Sequence, residues 1–199
     1  MDAPTHEMQS LLQTLLSRSS TPPRLMGDDG PTDAEVQDLL AAAVTAPDHG
    51  AIRPWRFVVI QGDDRARLGQ VFADALKARD PAASPEALQK ELDRPLRAHT
   101  LIAVLARITP DRPNVPPVEQ IVATACAAQN ILLAAEAKGL GAIMLTGKNA
   151  QDAHVKRFFG LGATDEIVAF VYLGKADGPI PQKERPNANQ FVEPFGAFA

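Results

Sequence analysis

The chain has 199 residues, 45 % of them apolar and 22 % charged, with a formal net charge of −4, which suits one soluble globular domain over residues 1–199 and argues against disorder. Its basic residues are scattered among acidic ones, so nucleic acid and anionic membranes are not expected partners. Cys126 is the only cysteine, which excludes an intramolecular disulfide and a cysteine-rich metal site and fits a reducing cytoplasm.

The start, "MDAPTHEMQS", lacks a basic segment followed by an apolar one, and no apolar run reaches the roughly 18 to 20 residues that span a bilayer. The expectation is a cytoplasmic protein. Residues 5–17 carry Met8, Leu11, Leu12, Leu15 and Leu16 at helical spacing and predict a one-sided helix ending near Ser17. A second helix starts at Thr32, where Thr32 and Glu35 have capping-box spacing, and must stop before Pro47. "WRFVVI" (55–60) and "TLIAVLARI" (100–108) are strand-like, with helical patterns at 64–79 and 85–97 between them.

The segment 119–141 differs from the rest. From Ile121 to Ala137 it is apolar on nearly every face apart from Thr124, Gln129, Asn130 and Glu136, so the helix it forms must be buried all round, in a core or against a second chain. Its many alanines and the small size of the domain favour a second chain, and Ala127 and Ala134 are positions where a charge would test that. "AIMLTG" (142–147) and "IVAFVYLG" (167–174) read as strands on either side of a short helix around 151–159. The expected architecture is a mixed sheet surrounded by helices.

Familiar catalytic patterns are absent from the sequence. His49 stands beside Asp48, but His6, His99 and His154 have no metal-site spacing to it, so no metal is expected. There is no GxSxG elbow, Cys126 falls inside a helix, and "GLGAIM" leads into a strand rather than out of one. Taken alone, His49 reads more readily as a helix-terminal capping residue than as a functional one.

Read in order, the pieces say more: "SRSS" after the first helix, "APDHGAIRPW" from helix to strand, "AAQNILLAAEAKGLG" before a strand ending in "TG", and "YLG" closing another. From about residue 10 to 185 this ordered set resembles the nitroreductase family of flavin enzymes, and its short single-domain NAD(P)H nitroreductase branch most of all. The resemblance implies an α+β fold, a central mixed, mostly antiparallel sheet surrounded by helices, in an intertwined homodimer with FMN at the subunit interface. The family's Arg-Arg-Ser falls on Arg18, Ser19 and Ser20, with the second arginine replaced and Arg24 as its possible substitute. Guanidinium and hydroxyl groups there suit a phosphate. The branch's Arg and His flavin contacts fall on Thr45, a departure, and on His49.

Trp55 reads as packing, and Ala51 and Arg53 stand where larger members carry Asn and Gln. Met144, Leu145, Thr146 and Gly147 match the turn that approaches the flavin through its backbone. Arg185, in "KERPN", resembles a phosphate-gripping arginine. The implied chemistry is electron transfer from NADH or NADPH through flavin N5 to a small nitroaromatic, quinone-like or other conjugated acceptor in a ping-pong cycle, with no general acid or base assigned. A flavin- or ligand-binding homologue without turnover is the competing reading, because Ser19, Thr45 and Ala51 depart from the family pattern.

Overall fold

The computed structural model describes residues 11–180 and 183–195. Helix α1 is Leu11–Ser17; the earlier part of the expected first helix, with Met8, lies outside the described residues. Helix α2, Asp33–Ala43, starts where the sequence requires: Thr32 Oγ1 accepts from Glu35 N, and Glu35 reaches back to Thr32 N at 2.8 Å. Strand β1 is Trp55–Ile60, α3 is Asp64–Arg79, and α4 is Pro85–Asp93. The predicted helix over 85–97 divides at Arg94, beyond which a 3-10 turn runs to Arg97 around a proline that cannot continue an α-helix.

Strand β2, Thr100–Ala106, is followed by the 21-residue helix α5, Pro117–Ala137. Strand β3 is Leu140–Leu145 and β4 is Glu166–Lys175. Between them the single helix expected at 151–159 is two, α6 (Gly147–Gln151) and α7 (Ala153–Phe158). Asp152 separates them by accepting from the amides of His154 and Val155, an N-cap that restarts the helix.

The strands lie in the order β1-β2-β4-β3, and every ladder among the described residues is antiparallel. The parallel component of the expected mixed sheet is therefore not among them. Central β2 is buried along its whole length because helices cover both faces, which is why it reads as a continuous apolar run rather than an alternation. Strand alternation sends Ile102, Val104, Val171 and Leu173 to one face, against α2 and α5. It sends Leu101, Ala103, Phe170 and Tyr172 to the other, with Leu68 and Phe72 of α3 and Val155 of α7. On that second side α3 and α4 approach so closely that a Cβ on Gly69 would lie 2.3 Å from the carbonyl oxygen of Leu92.

Helix α5 corrects one expectation and refines another. Length and mean hydropathy alone would let it cross a membrane, but its apolar side is explained by packing across the sheet, with Ala123, Ala127, Ile131 and Ala135 buried. It is not buried all round within one chain. Val118 and Val122 are 62 % and 56 % exposed, and Ala125 and Gln129 continue the same exposed stripe. Leu12, Leu15 and Leu16 of neighbouring α1 are exposed as well, so two helices present apolar side chains to the outside.

Candidate functional site

The predicted site residues fall into two groups. The first lies along the outer edge of β3, the last strand of the sheet. Past the end of α1 the chain turns through Arg18, Ser19 and Ser20, and Thr21 N donates to Ala142 O at 2.9 Å, docking the loop on that edge. Ser19 is buried, while Arg18 and Ser20 are half-buried. Thr21 Oγ1 is buried with no hydrogen-bond partner, an orphaned polar atom beside the loop. Arg185 comes to the same place from the far end of the chain and donates through Nη2 to the Arg18 carbonyl. Two arginines that the sequence separates widely are thus neighbours.

Further along this edge lies the turn. Because Ala142 points its carbonyl outward, the two-residue repeat of a strand turns the backbone groups of Met144 outward too. Met144 is 44 % exposed, Thr146 is exposed, and Gly147 reverses the chain at φ +64°. Behind the turn a cavity of about 380 Å³ is lined by Leu145, Thr146 and Gly147 with Tyr172, Arg94 and Lys148 among others. Burial pushes the Tyr172 phenol above its ordinary value, against the lowering influence of Arg97, whose guanidinium lies 5.7 Å over the ring.

The second group belongs to the connector between α2 and β1, on the other side of α5. Thr45 is exposed, but its hydroxyl donates to Ala42 O at 2.8 Å and accepts from Asn130 Nδ2 at 3.2 Å, so its one donor is used inside the chain and one acceptor lone pair is left. His49 Nδ1 lies 2.6 Å from Glu119 Oε2. The connector is tightly wound: Gly50, Ala51 and Arg53 have φ of 73°, 50° and 53°, a region that residues with a Cβ adopt reluctantly. Asp48 holds it by accepting from Arg53 N at 2.6 Å. Trp55, 8 % exposed, packs in the core cluster of the α5 face, as expected of a packing residue.

Helix α5 sets the distance between the groups. Ser17, next to Arg18, donates to Glu136 at 3.3 Å, whereas His49 meets Glu119. Those two glutamates are near opposite ends of one helix, about 25 Å apart at 1.5 Å per residue. Arg18, Ser19, Ser20, Met144, Leu145, Thr146, Gly147 and Arg185 therefore share one edge of the chain; His49 sits toward the other end of α5, and Thr45, bonded to Asn130, lies along the helix between them. Glu119 carried no sequence signal as a site neighbour, since it is linked to His49 only by the fold; Asn130 and Glu136 were visible as polar exceptions in an apolar helix, though their partners were not.

Comparison with known proteins places these features in context. Residues 15–175 match the model of the Nitroreductase family. The chain is 33 % identical over 163 residues to the Escherichia coli (strain K12) protein named "Putative NAD(P)H nitroreductase YdjA", covering 82 % of this chain and 86 % of that protein. Among solved structures it resembles a nitroreductase-like family protein from Bacillus cereus, with a TM-score of 0.79 at 22 % identity and 98 % of each chain covered. It also resembles a Desulfovibrio desulfuricans protein described as "a putative nitroreductase in complex with fmn", with a TM-score of 0.68 at 27 % identity, covering 94 % of this chain and 98 % of that one.

Proposed function

The chain belongs to the nitroreductase family, and from that membership we propose that it is an FMN-dependent NAD(P)H oxidoreductase of one domain over residues 1–199, acting in the cytoplasm as a homodimer with a flavin site at each end of the subunit interface. When bound, FMN supplies the redox chemistry, taking a hydride from NADH or NADPH and passing electrons to a nitroaromatic, quinone-like or other conjugated acceptor in a ping-pong cycle.

The residues of the β3 edge fit this group. Arg18 and Arg185 are two guanidinium-bearing residues converging on one loop, with the hydroxyls of Ser19 and Ser20 and the unpartnered Thr21 hydroxyl as further donors beside it. That donor set suits a phosphate monoester. The outward backbone of Met144 and the exposed turn through Leu145, Thr146 and Gly147 offer polar main-chain groups to a flat polar ring edge. These groups bind and orient; the chain offers no side chain that we assign as general acid or base.

The observation that carries the dimer is the separation of His49 from Arg18 by the length of α5 combined with the exposed apolar stripe along that helix. A second copy packed with its α5 antiparallel covers Val118, Val122 and the leucines of α1, and the two-fold axis brings the His49 end of one chain to the Arg18 end of the other. Each flavin is then held by both subunits.

Colour tests the proposal directly. Purified protein should absorb near about 450 nm from bound flavin and bleach on addition of NADH or NADPH under anaerobic conditions. A colourless protein that takes up no added FMN would exclude it. A yellow protein that neither nucleotide bleaches would favour a flavin-binding homologue without turnover, a reading that gains some support from Thr45, whose one donor is used by Ala42.

A further inference from the structure

His49 is exposed and on a loop, yet both the loop and the ring are held. The connector is fixed from within by the Asp48 carboxylate on Arg53 N, and a Cβ on Gly50 would come within 3.3 Å of Val115 Cγ2, so the segment lies against the loop that precedes α5. That loop is clamped in turn. Gln120, 1 % exposed, accepts from Thr109 N at 2.9 Å and donates to the carbonyls of Thr109 and Val115 at 2.9 and 3.2 Å. A buried amide with all of these partners fixes the first turn of α5, and Glu119 is its neighbour in that turn. The carboxylate that meets His49 Nδ1 at 2.6 Å therefore comes from a rigid position.

We propose that Glu119 is a positioning residue for His49, accepting a hydrogen bond from Nδ1–H so that ring rotation and tautomer are fixed and Nε2 is the edge presented to the flavin. The proposal rests on the flavin-binding reading above. Stability does not account for the pair, because the two side chains are 59 % and 45 % exposed and ion pairs in such settings contribute little. At the ring its consequence is definite. A carboxylate on Nδ1 requires the hydrogen there, so a neutral ring offers Nε2 as an acceptor and a protonated ring offers it as a donor; in both states Nε2 is the free edge. Without Glu119 the neutral ring can exchange tautomers and rotate about its side-chain bonds.

A structural role for Glu119 predicts something else. An acidic residue in the first turn of a helix favours the helix N-terminus, so its loss would lower the melting temperature of flavin-free protein and leave bound flavin unaffected. Wild type, His49→Ala, Glu119→Ala, the double variant and Glu119→Gln separate the two by three measurements on the full chain: FMN dissociation constant from fluorescence quenching, midpoint potential of bound FMN, and melting of the flavin-free form. Glu119→Ala should weaken FMN binding by about tenfold, in the range for a lost hydrogen bond to a charged group, and shift the potential in the same direction as His49→Ala. The double variant should be no weaker than His49→Ala, since two residues acting through one contact are not additive. Glu119→Gln keeps an oxygen acceptor and should recover most of the loss.

Additive losses, a Gln variant as weak as the Ala variant, or a change confined to flavin-free melting would overturn the role of Glu119. If wild type binds FMN and His49→Ala binds it equally well, this proposal falls and the flavin reading stands. If wild type takes up no FMN, both fall.

Discussion

On the face of the sheet covered by α3, α4 and α7, Phe72 meets Phe170 edge-on at 5.4 Å and Phe159 follows at 6.0 Å. Polar links close its rim: Glu91 to Arg94 and Asn149, and Arg79 to Asn149 and Asp152. The face covered by α2 and α5 has, apart from Trp55 and Phe57 of β1, a core rich in small residues, with Ala43, Ala123, Ala127, Ala128 and Ala135 among them, and its covering helix leaves Val118 and Val122 in solvent. One face is finished within the chain by aromatic bulk and a polar rim. The other uses small residues to draw its helix close and leaves an exposed apolar stripe on the outside of that helix, the surface that the proposed second copy would cover.

The largest test of this contrast compares two charges on α5. Ala127 is fully buried in its own chain, so Ala127→Glu should cost several kcal/mol and prevent folding, visible as lost helical circular dichroism. Val122→Glu lies on the exposed stripe and should leave each chain folded while sedimentation shows monomers; a Val122→Glu protein that sediments as the wild-type dimer would remove α5 from the interface. Phe72→Ala, on the finished face, should lower unfolding free energy by about 3–5 kcal/mol in denaturant titrations without altering the oligomeric state of the folded fraction. Arg18→Ala should weaken FMN binding by about 1.5–3 kcal/mol and leave riboflavin, which lacks the phosphate, nearly unaffected. Equal losses for the two ligands would assign the arginine to the fold.

The smallest effect concerns acid. Burial pushes the Glu91 carboxyl up, but hydrogen bonds from Arg94 and Asn149 outweigh it, so the group lies below its ordinary value of 4.5. A carboxyl depressed in the folded state stabilises it fully above the unfolded value and loses that contribution as pH falls through the folded one. Glu91→Gln should therefore be less stable than wild type near neutrality, with the two stabilities converging as pH falls below 4.5 and through the depressed folded-state value. Parallel curves would show that the Glu91 network does not titrate with unfolding.

Much of the secondary structure was legible because local chemistry decides it. The Thr32–Glu35 capping box marked the start of α2, and the 3.6-residue pattern marked α3 from Asp64 to Arg79. Boundaries failed where tertiary contacts decide: β3 begins at Leu140, ahead of the expected 142, because Leu140 and Gly141 find partners in Lys175 and Gly174. In α5 the alanines hid a difference of environment, since Ala125 is exposed and Ala127 buried with the same side chain. The candidate site was nameable residue by residue only through its family resemblance. Its layout was not, because the meeting of Arg185 with Arg18, or of Glu119 with His49, depends on where the whole chain returns.

Gly69 limits how the second face can change. With the Leu92 carbonyl 2.3 Å from where its Cβ would stand, even alanine would push α4 outward, and Glu91 and Arg94, which line the cavity behind the turn at Leu145, Thr146 and Gly147, would go with it. The wall of that cavity is therefore tied to a site in α3 that carries no functional group. Remodelling the cavity by exchanging side chains on α4 leaves the helix in place, whereas a single methyl at residue 69 would widen it from behind.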